Sequence, residues 1–150
     1  MIQDPKSLQQ LALRLQEFAQ QRDWGQFHSP KNLASALIVE AGELLEHFQW
    51  LTEEQSRNLP ADKKQAVAYE MADVLLYLVQ MATALGVDLI EATNAKVEIN
   101  EQKYPVDQAR GSSRKYGELL SAARIHACSG NDSVTSGAKA AGEHDLSGSL

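Results

Sequence analysis

Two acidic pairs, Glu40-Ala41-Gly42-Glu43 and Glu70-Met71-Ala72-Asp73, recur about thirty residues apart, each inside a stretch of helical periodicity. Residues three apart are neighbours on one face of an α-helix, so each pair presents two carboxylates side by side. Two such helices packed together gather four. Four clustered carboxylates repel one another unless cations intervene. Hard divalent cations such as Mg²⁺ resolve that repulsion with oxygen ligands, and Mg²⁺ commonly arrives with substrate phosphates. The pattern points to metal-dependent chemistry on a nucleotide.

The rest of the chain reads as helix, with no convincing period-two strand pattern. Asp4 followed by Pro5 has the form of an N-cap with proline in the first turn. Leu8, Leu11, Leu15 and Phe18 continue as an apolar stripe that ends near Trp24-Gly25. Ser29-Pro30 repeats the start signal for a helix running to about Trp50. Thr52 with Gln55 forms a capping box for a short helix before Pro60. A long helix is expected from Ala61 to Leu85, closed by Gly86 in the left-handed C-terminal position. Asp88 with Glu91 opens a further helix that Pro105 limits. The expected fold is all-α: four principal helices in a bundle-like arrangement, with a short connecting helix. Residues 1–117 are expected to form one domain. Ser, Gly and Ala dominate from about Ser129 to Leu150, so residues 118–150 are expected to form a weakly structured to disordered tail, with at most a marginal helix over Glu118–Ile125.

At about 100° per residue, Glu43, His47 and Trp50 fall within roughly 80° of Glu40, in one stripe. Leu37, Ala41, Leu44, Leu45 and Phe48 occupy the adjoining face and are expected in the core, while Glu46 lies farther round, in solvent. The second helix repeats the plan. Asp73 and Tyr77 share the Glu70 stripe, and Val67, Met71, Val74, Leu78 and Leu85 make the adjacent apolar face. In the last helix Lys96, Asn100 and Lys103 share a face suited to phosphate and sugar oxygens. A lone Glu-x-x-Glu is ordinarily a solvated charge pair. Two such pairs bordering apolar stripes fit a site better, because perturbed carboxylates cluster where function is.

A formal net charge of −6 over 150 residues argues against direct binding to a nucleic-acid backbone, which relies on clustered Lys and Arg. It does not argue against a nucleotide, because bound metal inverts the local field. Cys128 is the only cysteine, which rules out an intrachain disulfide and a cysteine-rich zinc site. Without a basic start, an apolar leader or a membrane-length apolar run, the expectation is a soluble cytoplasmic protein with no membrane partner.

The segments RDWGQFHSPKNL (Arg22–Leu33), EAGELLEHFQW (Glu40–Trp50), EMADVLLYLV (Glu70–Val79), KVEINEQKYP (Lys96–Pro105) and ARGSSRKY (Ala109–Tyr116) together resemble the all-α nucleoside triphosphate pyrophosphohydrolases, the MazG-like superfamily. The likeness is greatest to members acting on dCTP and covers about the first 116 residues. It implies Mg²⁺-dependent conversion of dCTP, or a related cytosine deoxynucleotide, to the monophosphate and pyrophosphate, in a homotetramer. By the same resemblance Glu40, Glu43, Glu70 and Asp73 are the metal-binding catalytic residues. Trp24, His28, Trp50 and Tyr77 match positions around the base, and Lys96 and Asn100 match positions contacting phosphate or sugar. Arg110, Ser112, Ser113, Arg114, Lys115 and Tyr116 match a C-terminal motif expected to close over the phosphates. His47 departs from the pattern, which places an apolar residue there.

Two further enzyme readings keep the fold and change the substrate, to dUTP or phosphoribosyl-ATP, or to a broad set of triphosphates. A non-catalytic helical oligomer that sequesters nucleotide is a third reading. A ferritin-like di-iron bundle requires Glu-x-x-His motifs, and neither acidic pair continues that way.

Overall fold

Ser7, not Asp4, opens the first helix. In the computed structural model, which describes residues 4–118, the Ser7 hydroxyl accepts the Gln10 N–H and α1 runs Leu8–Gln20. Asp4 is drawn instead into an ion pair with Arg14 at 3.2 Å. Asp23 then takes a left-handed conformation (φ 53°), which short polar side chains tolerate. A single 3-10 turn, Trp24–Phe27, follows where the sequence suggested only the end of a helix.

The next start signals act where expected. Ser29 caps α2 (Pro30–Glu46) by accepting the Asn32 N–H, with Pro30 in the first turn. Thr52 and Gln55 form the reciprocal capping box of α3 (Glu53–Arg57), each side chain accepting the other's backbone N–H. The long α4 (Ala61–Leu85) stops at Gly86, which is left-handed at φ 66°. The Asp88 carboxylate accepts the Ile90 and Glu91 N–H groups at the head of α5 (Leu89–Lys103). Among the described residues there is no strand, and no single helix is long and apolar enough to cross a membrane.

α2 is shorter than its periodicity suggests. Beyond Glu46 the Leu45 carbonyl accepts N–H groups from both Phe48 and Gln49, and Phe48 accepts from Leu51. The last turn has tightened to three-residue bonds, a common way to satisfy terminal carbonyls. Residues 47–50 continue the path of α2 as turns.

The described residues divide into two compact units, the first ending at Ala95 and the second beginning at Lys96. In the first, α4 packs most extensively on α2 and next on α1. Val67, Val79 and Ala82 of α4, Leu33 of α2 and Ala19 of α1 are buried. Leu37, Ala41, Leu44, Phe48, Val74 and Leu78 are half-buried, in keeping with their helical faces. Leu45, Met71 and Leu85 were expected in the core and are exposed. Among the described residues their faces stay largely uncovered.

In the second unit α5 ends before Pro105, and a four-residue helix, α6 (Val106–Ala109), follows. The sequence reading did not include α6. Gly111 is left-handed (φ 70°) and turns the backbone into Ser112–Lys115. Tyr116 meets Tyr104 edge to face with ring centroids 6.2 Å apart. Of the expected tail and the marginal helix over Glu118–Ile125, only Glu118 lies within the described residues.

Candidate active site

Glu40 and Glu43 stand on the C-terminal half of α2, and Glu70 and Asp73 on the middle of α4, the helix packed most closely against it. Ligand oxygens of Glu40, Glu43 and Glu70 all lie within 4.8 Å of one another. Asp73 falls outside that compact set but stays close enough for its charge to act on Glu40. Partial burial first, and then the charges of Glu43, Asp73 and Glu70, push the Glu40 carboxyl above its ordinary range. Among the described residues no Lys or Arg pairs with any of the four.

An all-oxygen set without cationic partners suits a hard divalent ion, whose charge removes the repulsion and whose coordination is completed by water or phosphate. The residues present therefore fit the metal that their spacing suggests. Glu40 and Glu70 are half-buried and Glu43 is exposed, so the set lies at the edge of the core with one side open. Tyr77, half-buried, follows Asp73 by one turn of α4.

Glu43 and Glu70 also line a cavity of about 900 Å³ with His47, Trp50, Leu51, Gln55, Asn58 and Lys63. Trp50 is 86% exposed and stands free to receive a planar ligand. Glu46 is exposed, as its helical angle requires, and reaches the cavity without joining the carboxylate set. Gln55, Asn58 and Lys63 are functional candidates that the sequence reading did not single out. For Lys63 a signal existed: it precedes Glu70 by seven residues, two helical turns on one face. Gln55 and Asn58 lie in and just after α3, whose placement depends on the loop path.

Trp24 and His28 stand elsewhere in the same unit. Arg22 lies 3.6 Å over the Phe18 ring, Phe18 meets Trp24 edge-on at 5.7 Å, and Trp24 meets His28 at 6.5 Å. His28 lines a smaller cavity, about 260 Å³, between α1 and α4 with Ala19, Gly25, Gln80 and Thr83. Neither Trp24 nor His28 lines the cavity of Glu43 and Glu70. The chain thus brings the carboxylates to Trp50 but not to Trp24.

In the second unit Lys96 and Asn100 stand one turn apart on α5, both exposed. Arg110 closes α6. The Ser112 hydroxyl accepts the Arg114 N–H at 3.3 Å, and the Lys115 N–H donates to Glu118 at 3.2 Å. Ser113 and Tyr116 complete the segment, which is exposed throughout.

Comparison with known proteins gives concordant matches. The MazG-like family model matches residues 36–119. Two relatives named dCTP pyrophosphatase 1, from Mus musculus and Homo sapiens, are each 48% identical over 105 residues, 69% of this chain. The chain spans 62% of the length of these relatives. A crystal structure of a pyrophosphatase from Archaeoglobus fulgidus DSM 4304 superposes with a TM-score of 0.63 at 38% identity, covering 69% of this chain and 96% of that one.

Proposed function

The chain belongs to the MazG-like family, and from that premise we propose that it hydrolyses dCTP, or a closely related cytosine deoxynucleotide, to the monophosphate and pyrophosphate. The family implies dependence on a divalent metal; Mg²⁺ is the ion we assign. The observation that carries the reading is the compact set of Glu40, Glu43 and Glu70, oxygens within 4.8 Å, at the edge of a cavity bearing Trp50. The dCTP pyrophosphatase 1 relatives supply the substrate class.

Glu40, Glu43, Glu70 and Asp73 would hold the metal, which when bound supplies charge neutralisation at the triphosphate and acidifies water. The chain's own residues do the rest. The seam between α2 and α4 fixes the carboxylates before substrate arrives, so no large reorganisation accompanies reaction. A carboxylate oxygen not engaged with metal accepts the proton of the attacking water. Water attack on the α-phosphorus breaks the bond to the bridging oxygen, and pyrophosphate departs carrying that oxygen. Trp50 and Tyr77 offer faces for the base. By the family resemblance we assign Trp24 and His28 to the base, and Lys96, Asn100 and the Arg110–Tyr116 segment to phosphate and sugar. Such a reaction removes an unwanted nucleotide from the cytoplasmic pool.

We assign a homo-oligomer, specifically a homotetramer. Five residues are buried among those described, far fewer than a domain of this length needs to stand alone. Ile38, at 69% exposure, and Leu45, at 60%, share one face of α2, and Met71 of α4 is exposed at 58%. Apolar surface of that extent asks for a partner, and a second copy is the partner always at hand. In that assembly Trp24 and His28 serve the site of a neighbouring copy. Light scattering that returned a monomer at micromolar concentration would reject this.

The test of the substrate is relative kcat/KM for dCTP, dUTP, dTTP and dATP, each with and without Mg²⁺. The reading expects a clear preference for dCTP and no turnover without metal. Equal rates on all four would remove the specificity and keep the reaction. Binding without turnover would favour a nucleotide-sequestering oligomer.

A further inference from the structure

His47 stands where the spacing calls for an apolar side chain, at the C-terminal end of α2 between half-buried Leu44 and Phe48. An imidazole in such a place loses water and needs a polar partner to offset that loss. The partner is Glu70. His47 Nε2 lies 4.0 Å from Glu70 Oε1, and the two side chains are only 21% and 23% exposed, so bulk water and salt screen the contact weakly. His47 follows Glu43 by four residues, one turn farther along the same stripe of α2. Glu70 thus lies near both the Glu40–Glu43 oxygens and the His47 ring.

We infer that His47 is a positioning residue, which holds the Glu70 carboxylate in the orientation that completes the metal site. A carboxylate tethered through one oxygen presents the other in a fixed direction. A small rotation of either side chain, closing the gap by about 1 Å, makes the contact a hydrogen bond with the ring N–H as donor. Partners of this kind, one step out from the metal, commonly change affinity or activity by about 10–100-fold. His47 does not belong to the compact oxygen set itself. The inference rests on the reading that this set holds a divalent ion.

The test is Mn²⁺ binding to the full chain without nucleotide, followed by electron paramagnetic resonance at one fixed pH. His47→Leu is compared with His47→Gln, which keeps a side-chain N–H donor. Affinity should fall about 10-fold in His47→Leu and return to within about 3-fold of wild type in His47→Gln, with equal helicity in all three. Activity of His47→Leu should recover as metal is raised, with the KM for nucleotide little changed. If His47→Leu does not fold, His47→Ala against His47→Asn makes the same comparison. Wild-type affinity in the apolar variant, or no rescue by the amide, overturns the positioning role. So does pulsed resonance that finds imidazole nitrogen bonded to Mn²⁺. Failure of the metal reading is distinguishable: wild type would then take up no Mn²⁺, and Glu43→Gln would change nothing.

Discussion

The α2–α4 seam and the aromatic turn after α1 answer the same physical demand in opposite ways. The seam closes on itself: three carboxylates from two packed helices converge within 4.8 Å using residues of one chain. The turn does not close. Phe18 meets Trp24 edge-on beneath Arg22, and Phe18, Trp24 and Phe27 all remain partly exposed. Charged chemistry needs its donors fixed relative to one another, so it sits where a single chain can fix them. Recognition of a base needs apolar faces, and in the proposed assembly these come from more than one copy.

The sharpest way to break this comparison is to remove charge from the seam. Glu43→Gln and Asp73→Asn should each lower kcat/KM by about 100-fold or more, because the amide keeps the shape and loses the charge that holds metal. Glu46→Gln, exposed and outside the set, should stay within about 2-fold, with circular dichroism unchanged in all three. A loss at Glu46 as large as at Glu43 would refute the assignment of the acidic face.

Aromatic truncation is expected to matter less. Stacking is worth about 1–3 kcal/mol, so Trp50→Ala and Tyr77→Ala should weaken nucleotide binding by roughly 10-fold or more in calorimetry. Trp24→Ala should do likewise, but through a neighbour. At low nucleotide, mixed oligomers of Trp24→Ala and Glu43→Gln chains should exceed the summed activity of the two variants assayed separately. If no mixture exceeds that sum, the turn does not serve another copy.

Metal should also stabilise the fold through the seam alone. At about 100 times its dissociation constant, Mg²⁺ contributes roughly 2.7 kcal/mol, visible as a higher melting temperature that Glu43→Gln abolishes. The smallest effect concerns Glu40. Its folded-state carboxyl is raised above its ordinary value, so its contribution is fully present below the ordinary value and is lost as pH rises from there through the raised folded one. Metal-free Glu40→Gln should therefore melt slightly higher than wild type at neutral pH, and the difference should vanish on acidification. A variant that melts lower at neutral pH would contradict the repulsion.

Much of the seam was legible in the chain because its causes are local. Ser29, Thr52 with Gln55, Gly86 and Asp88 act on backbone groups within a few residues, and each stands where its chemistry suggests. The i, i+3 spacing placed the carboxylates on their faces without knowledge of the tertiary fold. Competition was harder to read. Asp4 and Ser7 both offer caps; Ser7 takes the role, while Asp4 pairs with Arg14. The exposure of Leu45, Met71 and Leu85 was not legible, since helical spacing marks an apolar face but does not say what covers it. The tightened turn that sets Trp50 on the cavity wall depends on hydrogen bonds at the helix end, which periodicity does not encode.

The central claim is that the seam directs water to the α-phosphorus of a nucleoside triphosphate. Phosphorus magnetic resonance of the products from dCTP and Mg²⁺ tests it most directly. The account predicts dCMP and pyrophosphate in equal amounts, formed by wild type and not by Glu43→Gln. dCDP with orthophosphate would contradict it.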